Sequence, residues 1–135
     1  AYALHRAWGA FCRVDVCTRR LPEGNDFPAV WRDASAADRE RMLAATAALL
    51  HALAKAQAFH ADLNVKNVYL AREAGGFRAY ALDVDRVVFL EAGDAGAMTR
   101  NLARLTRSLR KARQQFALDV PDESIATLRR LAGVL

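Results

Sequence analysis

At 135 residues, 53% of them hydrophobic, the chain is long enough to bury one core and short enough to form a single domain. It has no run of about 18 apolar residues to make a membrane-spanning helix, and Ala1-Tyr2-Ala3-Leu4-His5-Arg6 lacks the layout of a signal peptide, so a soluble, cytoplasmic protein is expected. The net charge of +5 points to an anionic partner, whether nucleotide, nucleic acid, phospholipid or lipopolysaccharide, and does not choose among them.

In chain order, Ala10 to Arg19 alternates apolar and polar residues as a strand does, and Leu21-Pro22-Glu23-Gly24-Asn25 breaks it into a linker. Cys12 and Cys17 stand five apart and would face opposite sides of a straight strand, which predicts two reduced, buried thiols. Asp33-Ala34-Ser35 offers helix caps, and a long helix is predicted over 36–58 with Met42, Leu49, Leu50 and Leu53 on its apolar face. Asn67 to Leu70 and Ala79 to Leu82 read as a hairpin turned at Gly75-Gly76. A second helix is predicted over 97–116, with Leu102, Leu105, Leu109 and Phe116 on one side and Arg100, Arg104, Arg107, Arg110, Lys111 and Arg113 over the rest. A last helix, over 123–131, follows Pro121, with Asp122 as its cap. The fold class expected from these elements is α+β, mainly helical with a short β-hairpin. The start at Ala1, within what reads as a strand, suggests that the natural protein extends upstream.

The chemistry concentrates in His60-Ala61-Asp62-Leu63-Asn64-Val65-Lys66-Asn67, between the long helix and the hairpin, and in Leu82-Asp83-Val84-Asp85 beyond it. Any one of these residues alone reads as a loop cap or a strand end. Together, in this order and on these elements, they resemble the phosphoryl-transfer site of protein kinases. There an H-R-D-L-x-x-x-N loop supplies a catalytic Asp and a metal-binding Asn, and a later D-F-G supplies a second metal-binding Asp. The phosphates of ATP need a divalent cation held by oxygen ligands, and the acceptor hydroxyl needs a carboxylate to orient it and take its proton. Asp62 is then the catalytic carboxylate, and Asn67 and Asp83 are the Mg2+ ligands. No second His or Cys stands at zinc-ligand spacing from His60, since His5 and His51 fall outside the loop; His60 is read with the catalytic loop, as its anchor.

The closer resemblance lies in three separated strings. Phe59 to Leu70 carries H-x-D-L-N-x-x-N, Leu82-Asp83-Val84-Asp85-Arg86 carries Asp-x-Asp-Arg in place of D-F-G, and Asn101 to Lys111 carries N-L-x-R-L-x-R-S-L-x-K. These resemble the lipopolysaccharide core kinases of the protein-kinase-like superfamily, nearest to those acting on 3-deoxy-D-manno-octulosonic acid (Kdo). The resemblance runs from about residue 10 to 116. It implies transfer of the γ-phosphate of ATP, with Mg2+, to a hydroxyl of the inner-core sugar on lipid A, by a protein lying peripherally at the cytoplasmic face of the inner membrane. Asn64 stands where many protein kinases have lysine, and Asp85 where they have the D-F-G glycine; both departures fit the sugar-kinase relatives.

On this resemblance, residues 1–20 are a remnant of the small-lobe strands and hinge, and 21–135 are the large, catalytic lobe. The hinge Thr18-Arg19-Arg20-Leu21 would receive adenine on its backbone, so Thr18, Arg19 and Leu21 are cofactor candidates. Lys66 either approaches the phosphates or stays in solvent. Asn64, Asp85, Arg86, Arg104 and Arg107 are substrate candidates, with Arg86 either paired to Asp85 or meeting an anionic sugar. No glycine-rich loop, strand lysine or helix glutamate precedes Leu21, and if the chain were entire, weak ATP binding and little turnover would follow. The basic helix either is a solvated face or holds the anionic acceptor or membrane surface. Nucleic acid is not expected, because Phe116 is that helix's only aromatic residue. Two alternatives stay open: a small-molecule kinase of the aminoglycoside or choline type, which shares the H-x-D-x-x-x-x-N loop, and a non-catalytic kinase-like lobe that docks an anionic partner.

Overall fold

The computed structural model describes the backbone of residues 2–8, 11–16, 20–91 and 94–134, and side chains from Arg20 onward. Cys17, Thr18 and Arg19 lie outside the described residues, as does the side chain of Cys12, so the expectations for the thiols and for the first half of the hinge fall there too. The first strand is β2 (Phe11–Val16), antiparallel to β1 (Tyr2–Trp8), with Tyr2 opposite Val16 and Trp8 opposite Phe11.

The expected linker at Leu21 to Asn25 is in part a strand. β3 (Gly24–Asp26) pairs antiparallel with β5 (Val68–Glu73), whose other edge carries β6 (Gly76–Ala81). The segment before it docks along the same strand, because the Tyr69 hydroxyl donates to the Pro22 carbonyl at 2.9 Å and Arg72 N–H to the Glu23 carbonyl at 3.1 Å. Gly24 is required there: a Cβ on it would stand 2.1 Å from the Leu70 carbonyl oxygen. The β5–β6 hairpin turns through Ala74-Gly75, between the paired Glu73 and Gly76, with Gly75 at φ +88°.

A helix not foreseen, α1 (Phe27–Asp33), follows β3 directly. Asp26 caps it by accepting the Ala29 N–H at 3.0 Å, and Pro28 sits in the first turn, where its missing N–H costs nothing. Phe27 and Trp31 stack at 5.2 Å inside the core, and the indole N–H of Trp31 donates to the Asp119 carbonyl at 2.7 Å. Asp33 is therefore the end of α1, and the cap of α2 (Ala36–Lys55) is Ser35, whose hydroxyl accepts the Asp38 N–H at 3.1 Å.

The long helix was expected to reach Ala58 and stops at Lys55. Gln57 takes a left-handed φ of 53°, and the chain reverses into β4 (Ala58–His60), which pairs antiparallel with β7 (Val87–Phe89). Then come α3 (Gly96–Gln115) and α4 (Asp122–Leu131). Asp122 was expected to cap α4, yet the cap position is Pro121 and the Asp122 carboxylate instead takes the Arg113 guanidinium. The core is shared by α1, α2, α3, α4 and the β5 face of the hairpin, with Trp31, Met42, Leu50, Leu70, Leu105 and Leu128 all essentially inaccessible. Burial of each such side chain contributes about 1.5–3 kcal/mol. His51 adds a polar tie, its Nε2 standing 3.0 Å from the Leu131 carbonyl and linking α2 to α4. No helix among the described residues is long and apolar enough to cross a membrane.

Candidate active site

The two motif segments are joined by backbone and by one imidazole. β4 delivers His60 to the floor of the site, fully buried. Its Nε2 lies 2.8 Å from the Leu82 carbonyl, which only accepts, so Nε2 carries the proton; Nδ1 is then the acceptor for the Asp62 N–H at 3.2 Å. Leu82 N–H donates to the Asn67 carbonyl at 2.9 Å, and Ala61 N–H to the Arg86 carbonyl at 2.9 Å. The loop bearing Asp62 and Asn67 and the turn bearing Asp83 are thus tied at three places, although they lie about twenty residues apart in the chain.

Within the loop, Asn64 acts as a cap. Its Oδ1 accepts the N–H groups of Lys66 at 2.9 Å and Asn67 at 3.2 Å, closing a 3-10 turn over Val65–Asn67, and its Nδ2 donates to the Asp62 carbonyl at 3.2 Å. The same carbonyl accepts Nδ2 of Asn67 at 2.9 Å. The backbone of Asp62 is therefore held on both sides, by His60 through its N–H and by two asparagines through its C=O. Its carboxylate projects into solvent, with Arg104 Nη2 at 4.0 Å from Oδ1.

Two residues that sequence reasoning left without a role hold this loop from α3. Asn101, fully buried, accepts the His60 N–H on Oδ1 at 3.0 Å and donates from Nδ2 to the Ala58 carbonyl at 2.8 Å, so it grips β4 at both ends. Ser108 Oγ accepts the Val65 N–H at 3.0 Å. The available signal is that Asn101 and Ser108 interrupt, on one face, the apolar stripe that carries Leu105 between them.

Asp83 is exposed and takes φ 58°, ψ 46°, a left-handed conformation that costs energy for any residue but glycine and is least unfavourable for Asp and Asn. Its carboxylate has no protein partner among the described residues, and neither does Oδ1 of Asn67, whose Nδ2 is spent on Asp62. No group of three His, Cys, Asp or Glu side chains is placed to hold a metal among the described residues. The donor set, Asn67 Oδ1 with the Asp83 carboxylate, consists of hard oxygens only. That fits Mg2+, which keeps several waters and takes its remaining oxygens from nucleotide phosphates.

The other candidates distribute as follows. Lys66 Nζ pairs with Asp26 at 2.5 Å and lies 5.9 Å from the centre of the Phe116 ring. Arg86 Nε is 3.9 Å from Asp85 Oδ2, both side chains being largely exposed. Leu21, half-buried, opens the segment docked along β5. A cavity of about 420 Å³ opens beside Asp62 and is walled by Lys66, Arg104, Arg107 and Lys111, with Ser108 and Phe116. A larger groove of about 720 Å³ between α2 and α4 holds no motif residue, so volume does not locate the chemistry.

The chain covers 56% of the length of a solved structure it resembles, "WaaP in complex with acyl carrier protein", which matches 98% of this chain at 18% identity with a TM-score of 0.67. That likeness supports the α+β, kinase-like large-lobe fold. A search of curated proteins gives no match. The family model described as lipopolysaccharide kinase (Kdo/WaaP) matches residues 2–129, nearly the whole chain, and the protein belongs to that family.

Proposed function

We propose that this protein transfers the γ-phosphate of ATP to a hydroxyl of the inner-core sugar of lipopolysaccharide, Kdo, working peripherally at the cytoplasmic face of the inner membrane. The observation that carries this is the junction through His60 and Leu82, which ties the loop of Asp62 and Asn67 to the turn of Asp83, together with the cavity beside Asp62, whose charged walls are otherwise cationic. On this reading residues 1–20 contribute small-lobe strands and hinge, and 21–135 are the catalytic lobe.

The Asp62 carboxylate orients the acceptor hydroxyl and takes its proton as the sugar oxygen bonds to phosphorus and the bond to the ADP oxygen breaks. Asn67 Oδ1 and the Asp83 carboxylate would hold Mg2+, which when bound neutralises charge on the transferring phosphate. Adenine would rest on the backbone around Thr18, Arg19 and Leu21. Lys66 reaches the phosphates only by leaving Asp26. Arg104, Arg107 and Lys111 would face an acceptor that carries a carboxylate, and Arg86 and Asp85 are further candidates for contact with it. The same cationic wall counts against aminoglycoside or choline acceptors, which are themselves cations.

The test is transfer of labelled γ-phosphate from ATP, with Mg2+, to lipid A bearing the inner-core sugar. Asp62→Asn should leave stability within about 0.5 kcal/mol, as expected for an exposed side chain. It should lower turnover by about 10²- to 10⁴-fold, the range for loss of a general base. Transfer to a cationic sugar or choline but not to this acceptor would overturn the reading.

A further inference from the structure

We propose that the groove between α3 and α4 lined by Arg107, Arg110 and Arg129 is a second oxyanion subsite. It would take a phosphate or carboxylate that the acceptor carries away from the hydroxyl being phosphorylated, and it rests on the kinase reading above. The groove has a volume of about 320 Å³, its lining includes the hydroxyl-bearing Thr99 and Thr106, and Leu102, Ala103 and Val134 complete the wall. No Asp or Glu lines it.

The charges on α3 fall into two groups. Arg100 is paired with Asp94 at 3.3 Å, Arg104 stands at Asp62, Lys111 lines the cavity beside Asp62, and Arg113 is spent on the Val120 carbonyl and Asp122. Arg107, Arg110 and Arg129 have no ion-pair partner among the described residues, and all three line this one concavity. Guanidiniums converging without a counter-charge raise the local positive potential, and their planar forks match the oxygen pairs of phosphate and carboxylate.

Position argues that the groove serves the same acceptor. Arg107 lines both this groove and the cavity beside Asp62, so the two adjoin at that side chain. From Arg104, at the catalytic carboxylate, to Arg110 is six residues, about 9 Å of helix rise and about a third of a turn around the axis, so an acceptor that spans both carries its oxyanion at least that far from the reacting hydroxyl. The recess suits a single oxyanionic group better than the flat surface of an acidic protein.

The experiment has two arms. The first titrates inorganic phosphate into the 15N-labelled protein and follows the arginine Nε–H signals. Saturable shifts at Arg107, Arg110 and Arg129 are expected, with that of Arg107 lost in Arg110→Gln/Arg129→Gln; shifts that never saturate, or an Arg107 shift that persists in the double variant, overturn the subsite. The second measures transfer to two soluble acceptor disaccharides, one phosphorylated beside the acceptor sugar and one not. The double variant should raise KM roughly 10- to 100-fold for the phosphorylated acceptor alone, the size expected for losing charge-assisted hydrogen bonds. The KM for ATP and for the unphosphorylated acceptor should not move. Arg129→Gln alone, at an exposed last-turn position, should give part of the effect and guards against misfolding of the double variant. Weaker binding to phosphatidylglycerol-containing vesicles with an unchanged KM would make the groove a membrane contact and overturn the proposal, as would a response to an acidic protein alone. Failure of transfer to every acceptor by the full natural protein would sink the kinase reading, while the phosphate titration would still decide the groove.

Discussion

The Nε2 proton of His60 is donated to the carbonyl of Leu82 at 2.8 Å, across twenty-two residues of chain, and this bond sets the distance between the Asp62 loop and the Asp83 turn. Nδ1 of the same ring accepts the Asp62 N–H, so His60 has no nitrogen left for substrate. It is a positioning residue, and His60→Ala leaves a buried carbonyl and a loop N–H without partners at a cost of about 1–3 kcal/mol each. Displacing a reacting group by an ångström costs about 10²-fold in rate. We expect His60→Ala to lower kcat by that order while KM for ATP changes little. A melting curve beside the kinetics checks this, and a loss of KM at constant kcat would contradict it.

Asn101 is the residue on which His60 itself depends. Replacing it by Leu keeps the branch at Cγ but leaves the His60 N–H and the Ala58 carbonyl unbonded inside the core, a loss of about 2–4 kcal/mol. Asn101→Asp retains an acceptor for His60 but removes the donor to Ala58, and it adds a charge with no cation in its described contacts. We therefore expect Asp to be no better than Leu, although it is closer in shape. Denaturant unfolding of both variants checks the order; an Asp variant close to wild type would show that the bond to Ala58 contributes little.

The loop of Asp62 and the Asp83 turn were legible as a candidate site because the pattern lies in the order of residue types over a few positions, α2 and α3 because each repeats an apolar stripe over several turns, and α4 because Pro121-Asp122 marks its start. The roles of Asn101 and Ser108 were not legible, because their partners stand 41 and 43 residues away and only the fold brings them together. α1 was missed because Asp26-Phe27-Pro28 reads equally as a break, and a helix of seven residues is too short to show a period. β4 and β7, three residues each, are too short for alternation to show; they form as a pair around the buried His60. Arg107 read as a substrate candidate and Arg110 as one more cation of a basic helix, and only the packing of α4 against α3 groups them with Arg129 and apart from the paired Arg100 and Arg113.

Gly24 tests the β3–β5 pairing that docks the segment before α1. In Gly24→Ala the new methyl group meets the Leu70 backbone, not a side chain that can swing aside, so the strand must shift. The expected loss is about 1–3 kcal/mol, in the range of an overpacked site. It should appear as a lower denaturant midpoint with an unchanged slope. Wild-type stability in this variant would mean that β3 does not hold this register.

Asp83 combines an unfavourable backbone with the proposed metal site, so stability and activity should part there. At φ 58° a Cβ is penalised, and Asp83→Ala keeps that penalty while losing the carboxylate. Asp83→Gly relieves it at the expense of a more flexible unfolded chain, so the Gly variant should exceed the Ala variant in stability by about 1 kcal/mol. Both should lose transfer to the same extent, because both lack the oxygen that would hold Mg2+. Asp83→Asn keeps a side chain suited to the left-handed region and one neutral oxygen, so it should fold like wild type and show residual transfer only at raised Mg2+. Unfolding curves beside Mg2+-dependent rates separate the cases. If Asp83→Gly were active and Asp83→Ala were not, the role of Asp83 would be to shape the turn, and the metal would have to be held elsewhere.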